Sequence, residues 1–161
     1  MAMKATTTAA LAAMVLVAAC PGPAVAAPAD ASDGPIAAAA APATYAAVSA
    51  ALSKVGASYA SGAAGPDAFD CSGLTMWALA RADIAAPHSS YAQYAMGTAV
   101  ARSEIHRGDL VFFDSAGAGA SHVALATGPT TAVSATNHGV MTHPIFDAYW
   151  GGSYVGARRV G

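Results

Sequence analysis

Residues 65–74 read Gly65-Pro66-Asp67-Ala68-Phe69-Asp70-Cys71-Ser72-Gly73-Leu74. Gly65-Pro66 marks a turn, and Asp70 is a suitable N-cap, because its carboxylate can accept hydrogen bonds from the unpaired N–H groups of a first helical turn. Leu74, Trp77 and Ala78 then fall on one helical face, and Ile84-Ala85-Ala86-Pro87 ends the pattern. The helix therefore begins at Cys71. Unpaired N–H groups at a helix start stabilise a thiolate and lower the thiol's pKa, so Cys71 is expected to be a nucleophile.

Upstream, Thr44 to Val55 reads as a first helix, with Val48, Leu52 and Val55 as its buried stripe and Gly56 as its stop. Residues 61–67, rich in Gly and Pro, read as a loop, and Ser90 to Met96 reads as a short third helix. From Gly108 the period changes. Leu110–Phe113, His122–Thr127, Thr131–Thr136 and Tyr154–Val160 read as strands, with Gly128-Pro129 as the turn between the second and third. Helices first and strands afterwards is the order of an α+β domain, its N-terminal helices packed on an antiparallel sheet.

Residues 1–26 read as a signal peptide: Lys4 supplies the charged start, Ala9 to Ala19 the short apolar run, and Ala24-Val25-Ala26 the small-residue cleavage site. Residues 27–43 read as an Ala/Pro-rich linker and 44–161 as one domain. Val17-Ala18-Ala19-Cys20 offers an alternative, a lipoprotein box with Cys20 lipidated, although Pro21 fits it poorly. Secretion, freely or through that anchor, is the expected localisation. In either case Cys71 has no partner within the domain. A lone thiol in an exported chain is a reactive group, a crosslink between chains or a small buried hydrophobe.

A net charge of −2 with 10% charged residues leaves no basic stripe for nucleic acid or an anionic membrane. No apolar run long enough to span a bilayer follows the signal, and a monomer is expected. His122 opens a strand after the Gly/Ala/Ser-rich residues 115–121 and is the candidate general base. His88 and His106 read as surface or loop residues. His138 and His143 are five apart, without a His-Glu-x-x-His pattern or paired cysteines, so no metal is expected.

These segments together resemble the NlpC/P60 family of bacterial cell-wall peptidases, which have a papain-like core. The resemblance runs from Gly56 to the end and rests on ordered blocks. Gly56-Ala57-Ser58-Tyr59 resembles the Gly-x-Pro-Tyr approach, residues 65–74 the nucleophile segment, and Pro87-His88-Ser89-Ser90 with Gln93 the Pro-Arg-Thr/Ser-Ser…Gln stretch. Arg107-Gly108-Asp109-Leu110-Val111-Phe112-Phe113 resembles the Pro-Gly-Asp-Leu-Val-Phe-Phe strand, Ser121-His122-Val123 the base segment, and Tyr149-Trp150 with residues 154–159 the closing strand.

The resemblance implies that Cys71 is the nucleophile and His122 the base, with Tyr59, Asp70 and Ser72 on the substrate and oxyanion side. Tyr59 also reads as a core aromatic, and Asp70 as a helix cap. The implied reaction is cofactor-free hydrolysis of peptidoglycan stem peptides, most often between γ-D-glutamate and the following diamino acid. The family's third polar residue, usually His, Asn or Gln, is here Ser134 in Val133-Ser134-Ala135. A hydroxyl is a shorter and weaker orienter of an imidazole. In a continuous strand His138 would lie about 14 Å beyond Ser134 and Asn137 would face the other way, so either needs a turn to return. A weak or silent wall-binding relative is the alternative that this departure keeps open.

Overall fold

Side chains alternate along Leu110-Val111-Phe112-Phe113, yet all four are fully buried. A strand of that kind needs cover on both sheet faces. Leu110 and Phe112 join Leu74, Ala78, Val123, Leu125 and Val133 in a core beneath the helices. Val111 and Phe113 join Ala124, Ala132, Ile145 and Trp150 in a second core on the opposite face. The sequence reading anticipated the first of these cores. The second is closed by the segment that follows the last hairpin, which carries no regular period.

The computed structural model describes residues 35–161, with side chains from residue 43 onward. The expected signal peptide, Cys20 and residues 27–34 of the expected linker lie outside the described residues. The elements are α1 (Pro35–Leu52), β1 (Ser58–Tyr59), β2 (Ala68–Phe69), α2 (Cys71–Ala80), α3 (Ser90–Tyr94), β3 (Thr98–Val100), β4 (Leu110–Phe113), β5 (His122–Ala126), β6 (Thr131–Thr136), β7 (Gly139–Pro144) and β8 (Tyr154–Arg159). Strands β3-β8-β4-β5-β6-β7 form one antiparallel sheet in that order, and β1 and β2 make a short parallel pair. The fold is α+β, with helices against a large antiparallel sheet.

Helix α1 differs from its expected bounds. It starts at Pro35, inside the stretch read as linker, and stops at Leu52. Alanine is the strongest helix former and needs no apolar stripe to be helical, while a proline at the first position gives up an N–H that has no intrahelical partner. The core-facing residues are Ala47, Val48 and Ala51, whereas Val55 lies beyond the helix and is half exposed. Helix α2 ends at Ala80, earlier than Ile84, and Asp83 at φ 58° turns the chain away.

At the other end of the sheet, Arg159 Nε and Nη2 donate to the two oxygens of Asp109, each at 2.8 Å. Asp109 is 2% exposed and also accepts from the His106 N–H at 2.8 Å. This two-pronged pair ties β8 to the start of β4, so the central strands enter the site end of the sheet in fixed register.

Candidate active site

Asp70 takes the N-cap position of α2 with extended backbone. Its Oδ1 accepts from the Gly73 N–H at 2.6 Å and the Ser72 hydroxyl at 3.2 Å, and its Oδ2 accepts from the Gly62 N–H at 2.8 Å. His88 Nε2 lies 2.9 and 3.0 Å from the two oxygens. Burial alone would raise this carboxyl, but Gly73, His88 and Gly62 together hold it below its ordinary value. Asp70 is thus the joint between loop 60–65, helix α2 and the loop before α3.

Gln93, fully buried, completes that joint. Its amide donates to the carbonyls of Ser72 at 3.0 Å and Pro87 at 2.8 Å and accepts from the Thr75 hydroxyl at 2.7 Å. Every polar group of the side chain is engaged, which is what a buried amide requires.

Cys71 is a free thiol at the first residue of α2 and is partly buried. Here the expectation from sequence is corrected. Burial dominates and pushes the thiol up, the Asp70 carboxylate adds to the rise, and the N–H groups of Val123, Ser72 and Cys71 itself only partly oppose it. The helix start acts in the expected direction but is outweighed by desolvation. At neutral pH the sulfur carries its proton.

The Val123 N–H connects the sulfur to the second candidate, since Val123 follows His122 at the start of β5. His122 is 7% exposed and pairs across the sheet with Phe113. Its ring lies 5.3 Å from the Trp150 ring and 6.1 Å from that of Phe113, centre to centre. Among the described residues no hydrogen bond joins the ring directly to the sulfur. The ring nitrogen Nε2 instead lies 3.1 Å from the hydroxyl of Ser134, which is fully buried on β6. Burial, with a smaller contribution from His143, lowers the His122 pKa to about 4, so the ring is neutral at neutral pH.

Ser134 has a second neighbour that the sequence reading missed. His143 Nε2 lies 3.0 Å from the same hydroxyl. The β6–β7 hairpin pairs Thr136 with Gly139 and Ala132 with His143, so His143 is diagonal to Ser134 on one sheet face. Asn137 and His138 form the turn of this hairpin, and neither bonds to His122. The available signal was Gly139, whose φ of 92° suits the residue leaving a tight turn. Counting back from a two-residue turn at 137–138 gives the pairing.

Tyr59 is 42% exposed, and the Cys71 and Asp70 side chains act on its hydroxyl, raising its pKa together with the larger effect of burial. It lines a cleft of about 270 Å³ with His122, Asn137, Tyr149 and Trp150. Tyr59 is therefore on the cleft and not in the core. Ser72 is 6% exposed and its hydroxyl is turned to Asp70, so what Ser72 presents to the sulfur is its backbone N–H.

A thiol at a helix start beside the opening of a central antiparallel strand, with an imidazole on that strand, defines the papain-like α+β class. Residues 56–159 match the NlpC/P60 family, and the chain belongs to that family. A Listeria innocua protein named Probable endopeptidase p60 is 42% identical over 106 residues, covering 66% of this chain and 22% of that protein. Probable endopeptidase Cgl2188 of Corynebacterium glutamicum is 47% identical over 85 residues, covering 53% of this chain and 39% of the relative. The chain thus matches less than half the length of either relative. The peptidoglycan hydrolase RipB of Mycobacterium tuberculosis superposes with a TM-score of 0.65 at 30% identity, covering 76% of this chain and 66% of that one. A Staphylococcus aureus protein described as similar to lipoprotein, of the NLP/P60 family, gives a TM-score of 0.68 at 30% identity, covering 74% and 41%.

Proposed function

We propose that this domain is a secreted cysteine endopeptidase that hydrolyses peptidoglycan stem peptides, with Cys71 as nucleophile, His122 as general base and acid, and Ser134 as the group that orients His122. The observation that carries the reading is the 3.1 Å contact between Ser134 and His122 Nε2. It occupies one ring nitrogen and leaves Nδ1 free, on the residue whose neighbour Val123 supplies an N–H to the sulfur. The names of the relatives and the family membership support the same substrate class. The bond most consistent with the family resemblance is that between γ-D-glutamate and the diamino acid that follows it.

Because the ring is neutral and the thiol protonated, proton removal accompanies attack instead of preceding it. The thiol proton passes to His122 as Sγ bonds to the scissile carbonyl carbon. The new oxyanion lies near the Cys71 N–H, which has no intrahelical partner at this position, and near the Tyr59 hydroxyl. Collapse breaks the C–N bond, and the departing amine takes the proton from His122. Water then attacks the thioester with His122 again accepting a proton, and the thiol is restored.

The test is incubation of the purified chain with defined muropeptides, followed by mass spectrometry and labelling of new amino termini. The expected result is one new amine per cleaved stem peptide and its loss in Cys71→Ala. Binding without products, equal in both proteins, would instead make the domain a wall-binding module. Products persisting in Cys71→Ala would remove the thiol mechanism.

A further inference from the structure

The Ser134 hydroxyl touches two imidazoles at once, His122 Nε2 at 3.1 Å and His143 Nε2 at 3.0 Å. A hydroxyl has one proton, so it donates to one ring and accepts from the other. Which way it points is set beyond it. His143 Nδ1 lies 2.9 Å from the Pro144 carbonyl oxygen. A carbonyl only accepts, so Nδ1 carries the hydrogen.

Burial is the strongest influence on the His143 pKa and lowers it, against smaller opposing effects of the Pro144 carbonyl and the Asp147 carboxylate. The ring is therefore neutral near neutral pH, and with Nδ1 protonated its Nε2 is a bare lone pair. That lone pair takes the Ser134 proton. The Ser134 oxygen is then free to accept, and the hydrogen it accepts is the one on His122 Nε2. The opposite sense would put the His122 hydrogen on Nδ1, where it could not act as a base, and would leave His143 with a hydrogen on each nitrogen and a buried charge.

We propose that His143 is a positioning residue which, through the Ser134 hydroxyl, fixes His122 as its Nε2–H tautomer and so keeps Nδ1 available to remove the Cys71 proton. This deepens the peptidase reading above and rests on it for its catalytic consequence. A lone serine hydroxyl would rotate to suit either tautomer. The lone pair of His143 breaks that tie, and the Trp150 ring, stacked on His143 at 3.9 Å and 20°, keeps the imidazole in place. The relay runs across β5, β6 and β7 through side chains that share one sheet face.

The direct measurement is the ring ¹⁵N spectrum of the full chain near neutral pH. Expected are Nε2–H for His122 and Nδ1–H for His143. His143→Phe retains a ring to stack on Trp150 and removes the acceptor. It should convert His122 to a mixture of tautomers and reduce kcat by roughly tenfold or more, part of the ~10²–10⁴ that a positioned base contributes, with KM changed less than about twofold. Ser134→Ala should match it, and the double variant should be no slower than either single one. His143→Gln, whose amide oxygen can accept from Ser134, should recover part of the loss. An Nδ1–H His122 in the unsubstituted chain would overturn the proposal, as would an unchanged tautomer and kcat in His143→Phe. If His143→Phe fails to fold, the tautomers of the unsubstituted chain decide alone. The spectrum needs no turnover, so absence of muropeptide cleavage would defeat the peptidase reading separately from the tautomer result.

Discussion

His88 Nε2 sits 2.9 and 3.0 Å from the two carboxylate oxygens of Asp70, one residue before the candidate nucleophile. The carboxylate caps α2 and at the same time opposes ionisation of the Cys71 thiol. These effects separate by substitution. Asp70→Asn retains an oxygen to cap the helix but removes the charge, so the pH midpoint of Cys71 alkylation should move down from its value in the unsubstituted chain. Asp70→Ala removes the cap as well and should cost about 0.5–2 kcal/mol in denaturant titrations. An alkylation midpoint that stays put or rises in Asp70→Asn would mean that the charge does not govern the thiol.

The neutral state of His122 makes stability depend on pH in a defined direction. Its folded pKa of about 4 lies below the ordinary value of 6.5. Between those values the unfolded chain binds a proton that the folded chain refuses. The contribution is complete above about pH 6.5 and is lost as pH falls toward 4, amounting to about 3 kcal/mol at most. His143 shifts in the same direction, whereas Asp70 acts only below its ordinary value of 3.8 and so outside this window. Urea midpoints should therefore fall between pH 7 and pH 4.5, and the slope should flatten in His122→Gln. The acid limb of kcat/KM, which reports the free enzyme, should likewise lie near pH 4. A limb near 6.5 would show that the ring is not desolvated before substrate binds.

Local chemistry made α2 legible, because a cap, an apolar period and a stop are written within one short stretch around Cys71. The strands β4 and β5 were legible from short apolar runs, and β6 from the Gly128-Pro129 turn signal that precedes it. β7 was not: Gly139-Val140-Met141-Thr142-His143-Pro144 mixes polar residues with a terminal proline, a composition that an edge strand tolerates but that does not announce itself. His143 was hidden with it. Its place beside Ser134 comes from hairpin register, which links residues nine apart, and not from any motif around it. The sequence also identified the helix-start donors around the Cys71 sulfur, but neither the Val123 N–H nor the burial that outweighs them all, since both depend on the assembled core. Ser134 looked like a defect in the family pattern; the second imidazole that compensates it is visible only once β7 is paired.

Gly73 tests how tightly the loop before the nucleophile is held. A Cβ at this position would collide with the Ala63 carbonyl oxygen and lie 2.9 Å from His88 Nε2. That same carbonyl accepts from the Asp70 N–H at 2.8 Å, and the Ala60 N–H donates to the Phe69 carbonyl at 3.1 Å, so the loop that follows Tyr59 is fastened to the residues leading into α2. Gly73→Ala has to push backbone away from backbone, which no rotamer change relieves. The expected cost is ~1–3 kcal/mol from overpacking, together with slower turnover as Tyr59 is displaced from the sulfur. Gly152→Ala is the matched control, because nothing lies within 4 Å of its added methyl group. Equal denaturation midpoints and equal rates for the two variants would show that residues 60–65 yield freely and that Tyr59 is not positioned by this contact.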